Sequence, residues 1–437
     1  MKRNGFIYLV FIKTENFKNI KELGKLKNKN KIVFLSSKNR YLEHDLYLLL
    51  ARAFPDNFES IYLESDYLPG ITYNSSSHID HSQKIEAFDD YMKIPPISLD
   101  KRNLLNINSK LSRVISNYKK IFKWKKDFIS TIDKINPNAI VLISPNEFNA
   151  KLIQAFRNKI TKLYIQPANI QKTVKTEKGI LYLMKRFIFH KVMKLPFFSN
   201  NLSILKEDSD FFFLLWSKIW VSHIKKDLNE KYLFVGAPKY DKYFQSFQNT
   251  KLIPAKPNVV IYLNKEMHVG IENWNIYADF YKKIINSFPA NDFVIKAHPL
   301  GSTDLLIKTF PTNNVTKGHF PIEQADLVLT HWSTMCLESI SKGIPTILIN
   351  PDSKFDFSEF HLQNYPAIAT NIEEFTQLFA NFRDSSNSKF PEYRKDFIRE
   401  LLYSDDGKSA ERVVEVIREV LSKKSSIVRK KGKGNVI

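Results

Sequence analysis

Residues 325–349 read ADLVLTHWSTMCLESISKGIPTILI, which is a short apolar strand, a helix and a second apolar strand in close succession. An apolar run of about 4–8 residues between polar flanks is typical of a buried parallel strand. Gly343 ends the helix in this pattern, because glycine is favoured just beyond a helix C-terminus. Repetition of such units predicts an α/β protein built on doubly wound parallel sheets.

Outward from this unit the same alternation covers most of the chain. Predicted strands occupy residues 31–36, 60–63, 139–143, 162–165, 258–263, 292–296, 325–330 and 344–349, and predicted helices occupy 44–53, 146–157, 274–288, 333–342 and 410–421, with a further helix that Asn371 caps. Residues 67–99 are polar and predict a long loop. Two such series meet near the prolines at 254 and 257, so the sequence predicts two Rossmann-type lobes that face a central cleft.

Composition narrows the class of protein. The 437 residues are 43% hydrophobic, carry 66 Lys+Arg against 45 Asp+Glu for a net charge of +21, and include a single cysteine, Cys336. The apolar content excludes a disordered chain, and one cysteine excludes a disulfide scaffold and favours the reducing cytosol. No run reaches the ~18 apolar residues of a membrane span, and the short apolar run at 6–12 predicts a strand rather than a signal peptide. The basic balance favours phosphates, nucleic acid or an anionic membrane as partners.

Two segments carry candidate binding chemistry at predicted strand ends. Lys296, His298 and Pro299 follow the strand at 292–296, and a lysine and a histidine two residues apart can bind a diphosphate or stabilise a leaving phosphate. The alternative is a surface turn with an incidental histidine. Pro299 restricts His298 to extended geometry.

The second segment opens the helix after the strand at 325–330. Ser333 and Thr334 can cap this helix, whose first N–H groups form an anion site, and Glu338 lies one turn further, where it can accept hydrogen bonds from ribose hydroxyls. The alternative is an ordinary Ser/Thr cap with a solvated glutamate. Two phosphate-type sites at successive strand ends of one lobe together favour nucleotide binding.

These segments, KAHP and ADLVLTHWSTMCLESISKGIPTIL, resemble the C-terminal lobe of GT-B glycosyltransferases that build bacterial capsule and lipopolysaccharide. The His-Pro pair and the later helix start are similar to the paired motifs of bacterial sialyltransferases and Kdo transferases, and CDP-glycerol polymerases of teichoic acid synthesis carry a similar pair. The run VGAPKYD resembles the Gly-x-Pro-x-x-Asp interlobe segment of surface-carbohydrate enzymes, which implies interlobe roles for Gly236, Pro238 and Asp241.

The resemblance implies a GT-B-like fold, with residues 1–250 as an acceptor-side lobe and 251–421 as a nucleotide-sugar-binding lobe. GT-B chains also return their last helix to the first lobe, and this alternative stays open. The implied activity is transfer of a sugar from a CMP- or UDP-linked donor to a growing surface polysaccharide or a lipid-linked acceptor, with the nucleotide-sugar as substrate and no further cofactor. By the resemblance His298, Ser333 and Thr334 contact the donor phosphates and Glu338 contacts the ribose.

Two other functions compete with this interpretation. A CDP-polyol phosphotransferase would use the same His-Pro and Ser/Thr elements on a glycerol or ribitol phosphate that is transferred. A nucleic-acid-binding protein would explain the basic charge, but the basic residues are spread along the chain and no recognised motif appears. We therefore expect no nucleic acid partner.

A hydroxyl that attacks an anomeric carbon needs a base, and the first lobe has no Asp/Glu-Asp/Glu-Gly triplet of the kind that supplies it in sialyltransferases. The candidate is Glu147 at the end of the strand at 139–143, although Ser-x-x-Glu is also a helix capping box. Asp80, Asp89 and Asp90 in the predicted loop are weaker alternatives. No convincing metal site appears, so the sequence predicts metal-independent transfer.

Two basic segments bear on localisation. Residues 179–199 mix large apolar residues with four basic ones, which suits either a membrane interface or a core helix. Residues 422–437 carry six Lys and Arg and no acid, and we predict a disordered tail there. Both segments predict a cytoplasmic enzyme, peripheral on the inner face of the plasma membrane, with its anionic surface as a partner.

Overall fold

The computed structural model describes residues 29–432, except for gaps at 37–40, 66–86, 95–106, 144–152, 157–159, 168–210, 224–230, 248, 264–270, 299–302, 318–319, 332–333, 354–366 and 385–387. Several sequence predictions lie outside these residues: the strand at 6–12, the segment 179–199, and the residues Asp80, Glu147, Pro299 and Ser333.

The first sheet has seven strands in the order β3-β2-β1-β4-β5-β6-β7, and every neighbouring pair is parallel. The strands are β1 (Asn30–Ser36), β2 (Phe58–Ser65), β3 (Asp90–Ile94), β4 (Ala139–Leu142), β5 (Thr161–Ile165), β6 (Phe211–Leu215) and β7 (Tyr232–Phe234). In the register of the central pair, Ile32 lies opposite Ala139. The order reverses direction between β1 and β4, so this sheet is doubly wound.

Helices cover both faces of the first sheet. Helix α1 (Tyr41–Ala53) packs on one face, and α2 (Ile107–Ile135) packs on the other through Trp124, Phe128 and Ile132. A 3₁₀ turn at Ile153–Phe156 is the described part of the helix predicted at 146–157. The lobe ends in α3 (Asp241–Gln245).

The second sheet has six parallel strands in the order β10-β9-β8-β11-β12-β13. They are β8 (Asn258–Tyr262), β9 (Asp292–Lys296), β10 (Asn314–Thr316), β11 (Leu327–Thr330), β12 (Thr346–Ile349) and β13 (Ile368–Ala369), and the helices between and after them are α4 (Ile271–Ser287), α5 (Thr303–Thr309), α6 (Thr334–Ser341), α7 (Ile372–Arg383), α8 (Phe390–Leu402) and α9 (Ser409–Gly432). Two parallel sheets flanked by helices confirm the predicted α/β class.

Local signals in the second lobe act as the sequence predicts. The Asn371 side chain accepts a hydrogen bond from the backbone N–H of Glu374 and caps α7, and Phe375, Phe379 and Phe382 are buried behind it. Gly343 adopts a φ of +79°, the left-handed conformation expected beyond a helix end. The carbonyls of Ile340 and Ser341 at the end of α6 accept hydrogen bonds from the buried Arg394 guanidinium.

One prediction in the first half was wrong, and one long helix was not predicted. The predicted loop at 67–99 contains strand β3, which pairs with β2 over residues 90–94. It escaped detection because it is an edge strand of which only Ile94 is buried. The chain between this strand and β4 also contains α2, a helix of 29 residues for which the sequence analysis made no prediction.

The C-terminal prediction also needs correction. Residues 422–432, predicted as part of a disordered tail, continue helix α9. The buried side chains of Ala410, Val413, Ile417 and Leu421 share a core with β1 and α1 of the first lobe. Residues 409–421 therefore pack on the first lobe instead of the second. This agrees with the alternative in which the last helix returns to the first lobe.

Candidate functional site

Buried polar side chains collect where the strands of the first sheet end. Ser36, Glu64, Ser65, Gln166 and Ser217 all lie at or just after the carboxyl end of a strand and are almost fully buried. Ligands of open parallel sheets bind outside this edge. The second sheet presents Thr330, His331 and Asn350 at the same edge. The carboxyl edges of the two sheets together define the candidate site.

The Lys-Ala-His-Pro segment ends β9. His298 is half-buried two residues beyond the strand. The ammonium of Lys296 donates to the carbonyl of Lys317 at 2.7 Å, just past the end of β10, and burial lowers the pKa of Lys296. The structure thus ties Lys296 to the neighbouring strand, while its predicted role in donor binding stays a prediction.

Helix α6 begins at Thr334, one residue beyond the two undescribed residues 332 and 333. Glu338 is half-buried on this helix, and its carboxylate accepts a hydrogen bond of 2.6 Å from the hydroxyl of Tyr243 on α3. The ammonium of Lys342, one turn further, lies 3.9 Å from the same carboxylate oxygen, Oε1. The residue predicted to bind ribose therefore sits where α6 of the second lobe meets the interlobe segment.

The Gly-x-Pro-x-x-Asp segment has a clear structural basis. The buried Asp241 carboxylate accepts hydrogen bonds from the backbone N–H groups of Ser409 at 3.1 Å and Ala410 at 2.8 Å, so it caps helix α9. Burial raises the pKa of Asp241, and these hydrogen bonds oppose the shift. Gly236 adopts a φ of +81°, and a Cβ there would lie 2.4 Å from the Ser409 hydroxyl. Pro238 is buried in the turn between them.

Lys239, inside this segment, is a site residue that the sequence analysis missed. Its ammonium lies 4.7 Å from the ring centroid of Tyr240 and 5.5 Å from that of Trp216, and it forms no ion pair with a carboxylate of the described residues. Burial lowers the pKa of Lys239 from 10.5 to about 8, and the negative charge of Glu338 opposes this shift. In a chain with 66 Lys+Arg, no sequence signal distinguishes this lysine from the others.

We call this set of residues the junction cluster: Lys239, Tyr240, Tyr243, Tyr262 and Glu338. The negative charge of Glu338 contributes to raising the pKa of Tyr240 and Tyr262, after burial as the main cause, so both phenols lie within its electrostatic range. The buried hydroxyls of Tyr240 and Tyr262 have no hydrogen-bond partner among the described residues. Such buried donors are rare in proteins and suit a site that a polar ligand completes.

A second polar cluster lies beyond the carboxyl ends of β11 and β12 in the second lobe. The Tyr277 hydroxyl, on α4, lies 2.6 Å from Nε2 of His331 and donates to the Asp352 carboxylate at 3.0 Å. His331 is only 4% exposed, and burial lowers the pKa of its ring to about 4, against the opposing charge of Asp352. We call these three residues the relay cluster. Sequence separations of 54 and 75 residues hide it from sequence analysis.

Comparison with solved structures identifies the architecture. The chain superposes with a TM-score of 0.53 on a Listeria monocytogenes protein assigned as a UDP-N-acetylglucosamine 2-epimerase, at 14% identity, covering 89% of this chain and 96% of that one. The UDP co-structure of S. aureus MnaA gives 0.53 at 13% identity, over 90% and 97% of the chains. The Neisseria meningitidis UDP-GlcNAc 2-epimerase bound to UDP-GlcNAc gives 0.51 at 13%, over 89% and 100%. The fold is GT-B. Searches with protein-family models and against curated protein sequences give no match.

A base that acts on a ligand of the first lobe would lie at the carboxyl edge of the first sheet, where open parallel sheets bind ligands. Asp89 and Asp90 lie instead at the amino end of β3, where Asp89 accepts hydrogen bonds from the backbone and hydroxyl of Ser60. That position is incompatible with the role of base at the cleft. Glu64 is the described carboxylate at the carboxyl edge, where it accepts a hydrogen bond from Tyr91 and lies 3.3 Å from the Lys93 ammonium.

Two further findings on the described part of the chain concern metal ligands and membrane-spanning helices. No group of three or more His, Cys, Asp or Glu there has an arrangement that could hold a metal ion. None of the helices in the described ranges is long and apolar enough to cross a bilayer.

Proposed function

We propose that this GT-B protein is a glycosyltransferase that moves a sugar from a nucleotide-activated donor, CMP- or UDP-linked, to a growing surface polysaccharide or lipid-linked acceptor. The observation that carries the proposal is the junction cluster. It combines a lysine without a described carboxylate partner, two buried phenol donors and a carboxylate next to a helix start. This is the donor and acceptor set that a ribose and its phosphates require.

The distance between the two strand-end segments, read from the strand order, suits the length of the proposed ligand. His298 follows β9 and the start of α6 follows β11, and these strands flank β8. Two strand spacings are roughly 10 Å, a distance that a nucleotide diphosphate with its sugar can span. In the proposal Glu338 binds the ribose, the start of α6 with Ser333 and Thr334 binds the nearer phosphate, and Lys239 and His298 oppose the negative charge that develops as the sugar leaves.

The proposed chemistry needs a base from the first lobe, because the attacking hydroxyl must lose its proton. Glu147 is the candidate from sequence, and Glu64 is the candidate that the structure adds. In the proposal the reaction is metal-independent, since cationic side chains and a helix N-terminus act on the leaving group. In the proposal the enzyme works in the cytoplasm at the inner face of the membrane, where a lipid-linked acceptor is accessible.

Nucleotide binding is the first test. The full chain is heated with CMP, CDP, UDP or GDP, since a ligand of the native state raises Tm. We expect a rise with CMP or UDP in the wild type and a smaller rise in Lys239→Met. Lys282→Met, on the exposed face of α4, is the matched control and should respond like the wild type. No shift with any nucleotide would contradict the proposal.

Product analysis is the second test. A glycosidic linkage to an added glycan acceptor supports glycosyl transfer. A phosphodiester product would establish the CDP-polyol phosphotransferase instead. Conversion of the donor sugar without an acceptor would indicate an epimerase, the activity assigned to the structural neighbours named above. Affinity for arbitrary duplex DNA with steep salt dependence, and none for nucleotides, would favour the nucleic-acid-binding alternative.

A further inference from the structure

Helix α2 has two faces of opposite character. Trp124, Phe128, Ile132 and Ile135 are buried in the core of the first lobe. Lys119, Lys123 and Lys126 are exposed on the opposite side, together with Phe122, whose side chain is 40% exposed. Positions 119, 122, 123 and 126 follow the i, i+3, i+4, i+7 spacing and so form one continuous stripe. We call these four residues the α2 basic face.

The α2 basic face combines an exposed aromatic ring with several lysines. An exposed phenylalanine lies among three exposed lysines, and the Lys126 ammonium lies 5.0 Å from the Phe122 ring centroid. Lys120 and Lys125 flank the stripe and are half-buried, and residues 119–126 include no acid. Only five large hydrophobic side chains in the described residues are as exposed as this, and Phe122 is the one surrounded by several lysines on its own helix.

The position of the α2 basic face relates it to the cleft. Only residues 136–138 separate α2 from β4, so the helix runs antiparallel to the strand. From Ile135 at the amino edge of the sheet, Lys126 and Lys119 lie roughly 14 and 24 Å along the helix, at about 1.5 Å per residue. Strands of 4–8 residues span a comparable length at about 3.3 Å per residue. The face therefore lies towards the carboxyl ends of the strands and extends beyond the end of β4.

We propose that the α2 basic face docks the protein on an anionic lipid bilayer. Lysine ammonium groups attract anionic headgroups, the lysine stems and the Phe122 ring enter the interfacial region, and the charges stay at headgroup level. Duplex nucleic acid would use the lysines but not the ring, whereas single-stranded nucleic acid would use both. The inference rests on the proposed function only in that a lipid-linked acceptor would then reach the cleft from this side.

The test is flotation of the full chain with vesicles of phosphatidylcholine alone or with one third phosphatidylglycerol, at low and at physiological salt. We expect binding only to the anionic vesicles. The triple variant Lys119→Gln, Lys123→Gln, Lys126→Gln should bind about 10²-fold more weakly, because each basic residue near the surface contributes about a fivefold gain. Phe122→Ala should weaken binding about tenfold.

The matched control is the triple variant Lys282→Gln, Lys283→Gln, Lys308→Gln, which removes the same charge from exposed positions of α4 and α5 in the second lobe. It should retain most of the binding. Equal losses in the two triple variants would overturn the proposal, since net charge alone would then account for binding. Wild-type binding to single-stranded oligonucleotides with none to anionic vesicles would overturn it as well.

Nucleotide-induced Tm shifts, measured on the same variants, separate this inference from the proposed function. They should be unchanged in both triple variants. If the wild type shows vesicle binding that depends on the α2 basic face but no nucleotide shift, the proposed function fails and the docking surface stands. If nucleotides shift Tm but the wild type does not bind anionic vesicles, the docking surface fails and the proposed function stands.

Discussion

The relay cluster and the junction cluster are built from similar side chains but differ in the hydrogen bonding of their buried tyrosine hydroxyls. In the relay cluster, Tyr277 lies between His331 and Asp352 and contacts both. In the junction cluster, Lys239 lies on aromatic rings, and the hydroxyls of Tyr240 and Tyr262 have no partner among the described residues. A hydroxyl shared by two buried partners stabilises a fold, whereas a buried hydroxyl with no partner among the described residues keeps the capacity to bind a ligand. The difference predicts a role in stability for the shared hydroxyl of Tyr277 and supports the ligand binding proposed for the junction cluster.

The largest expected effect concerns His298, which follows the end of β9. His298→Ala should lower kcat by at least ~10²-fold, the scale for removing one preorganised donor to a developing negative charge. Its Tm should change little, because His298 is half-buried and lies beyond β9. Initial rates at saturating donor and a thermal melt give both quantities. Full activity, or a loss that unfolding explains, would remove the main support for a catalytic His298.

Ser333→Ala should act in the same direction but more weakly, because the helix N–H groups would still bind the anion. If both residues act on one phosphate, the double variant should lose less than the product of the single losses. Simple multiplication would show that they act independently.

The next effect tests Lys239. Lys239→Met should weaken nucleotide binding about 10- to 100-fold, the range for a charged hydrogen bond. Wild-type affinity should fall as the pH rises through about 8, where the free enzyme loses the Lys239 proton. Lys239→Arg keeps its charge at these pH values and should show no such fall. Titrations of nucleotide from pH 7 to 9.5 provide the measurement, and identical profiles for wild type and Lys239→Arg would contradict the assignment.

A smaller effect is expected in the relay cluster. Tyr277→Phe should lower the free energy of unfolding by about 1–3 kcal/mol, because it leaves buried groups of His331 and Asp352 without their shared hydroxyl. Nucleotide affinity should stay within about twofold. The control is Tyr281→Phe, one turn along the same helix, whose buried hydroxyl has no partner among the described residues. A loss of affinity in Tyr277→Phe with stability intact would reverse the division of roles.

The smallest effect is a pH dependence of stability. The pKa of His331 is about 4 in the fold and about 6.5 in an unfolded chain, so between these values the unfolded state binds more protons. Stability should therefore fall as the pH falls from 6.5 towards 4, by about 1–2 kcal/mol at pH 5. Denaturant unfolding at pH 7.5 and 5 should show this difference, reduced in His331→Gln. An unchanged difference would assign the acid sensitivity to other groups.

Sequence reasoning succeeded where one local pattern determined the structure. Apolar strands such as residues 292–296 and the capping Asn371 needed no long-range information. Trp124, Phe128, Ile132 and Ile135 recur at helical spacing on the buried side of α2, so this helix was predictable from the sequence and was overlooked. The run Phe211–Leu215 is uninterrupted, and such a run does not separate strand from buried helix by periodicity.

The residues of the candidate site also differ in whether a local sequence pattern points to them. Glu338 is a candidate from the sequence because it lies one turn beyond a predicted helix start, and its contact with ribose stays a prediction. The hydroxyl of Tyr243 that binds it is 95 residues away in sequence, and the relay cluster spans comparable separations. Residues of common types that meet only through the folded lobes have no signature in a single sequence.

The cap that Asp241 provides has a consequence for movement between the lobes. The chain passes from the first lobe to the second near residue 250 and returns between α8 and α9. The Asp241 carboxylate, in the outgoing segment, accepts hydrogen bonds from the backbone N–H groups of Ser409 and Ala410 in the returning segment. The Gln245 side chain donates a further hydrogen bond to the carbonyl of Gly407. Because the two passages are hydrogen-bonded side by side, we expect the lobes to rotate about this pair of passages. Sliding of one lobe past the other would break these hydrogen bonds.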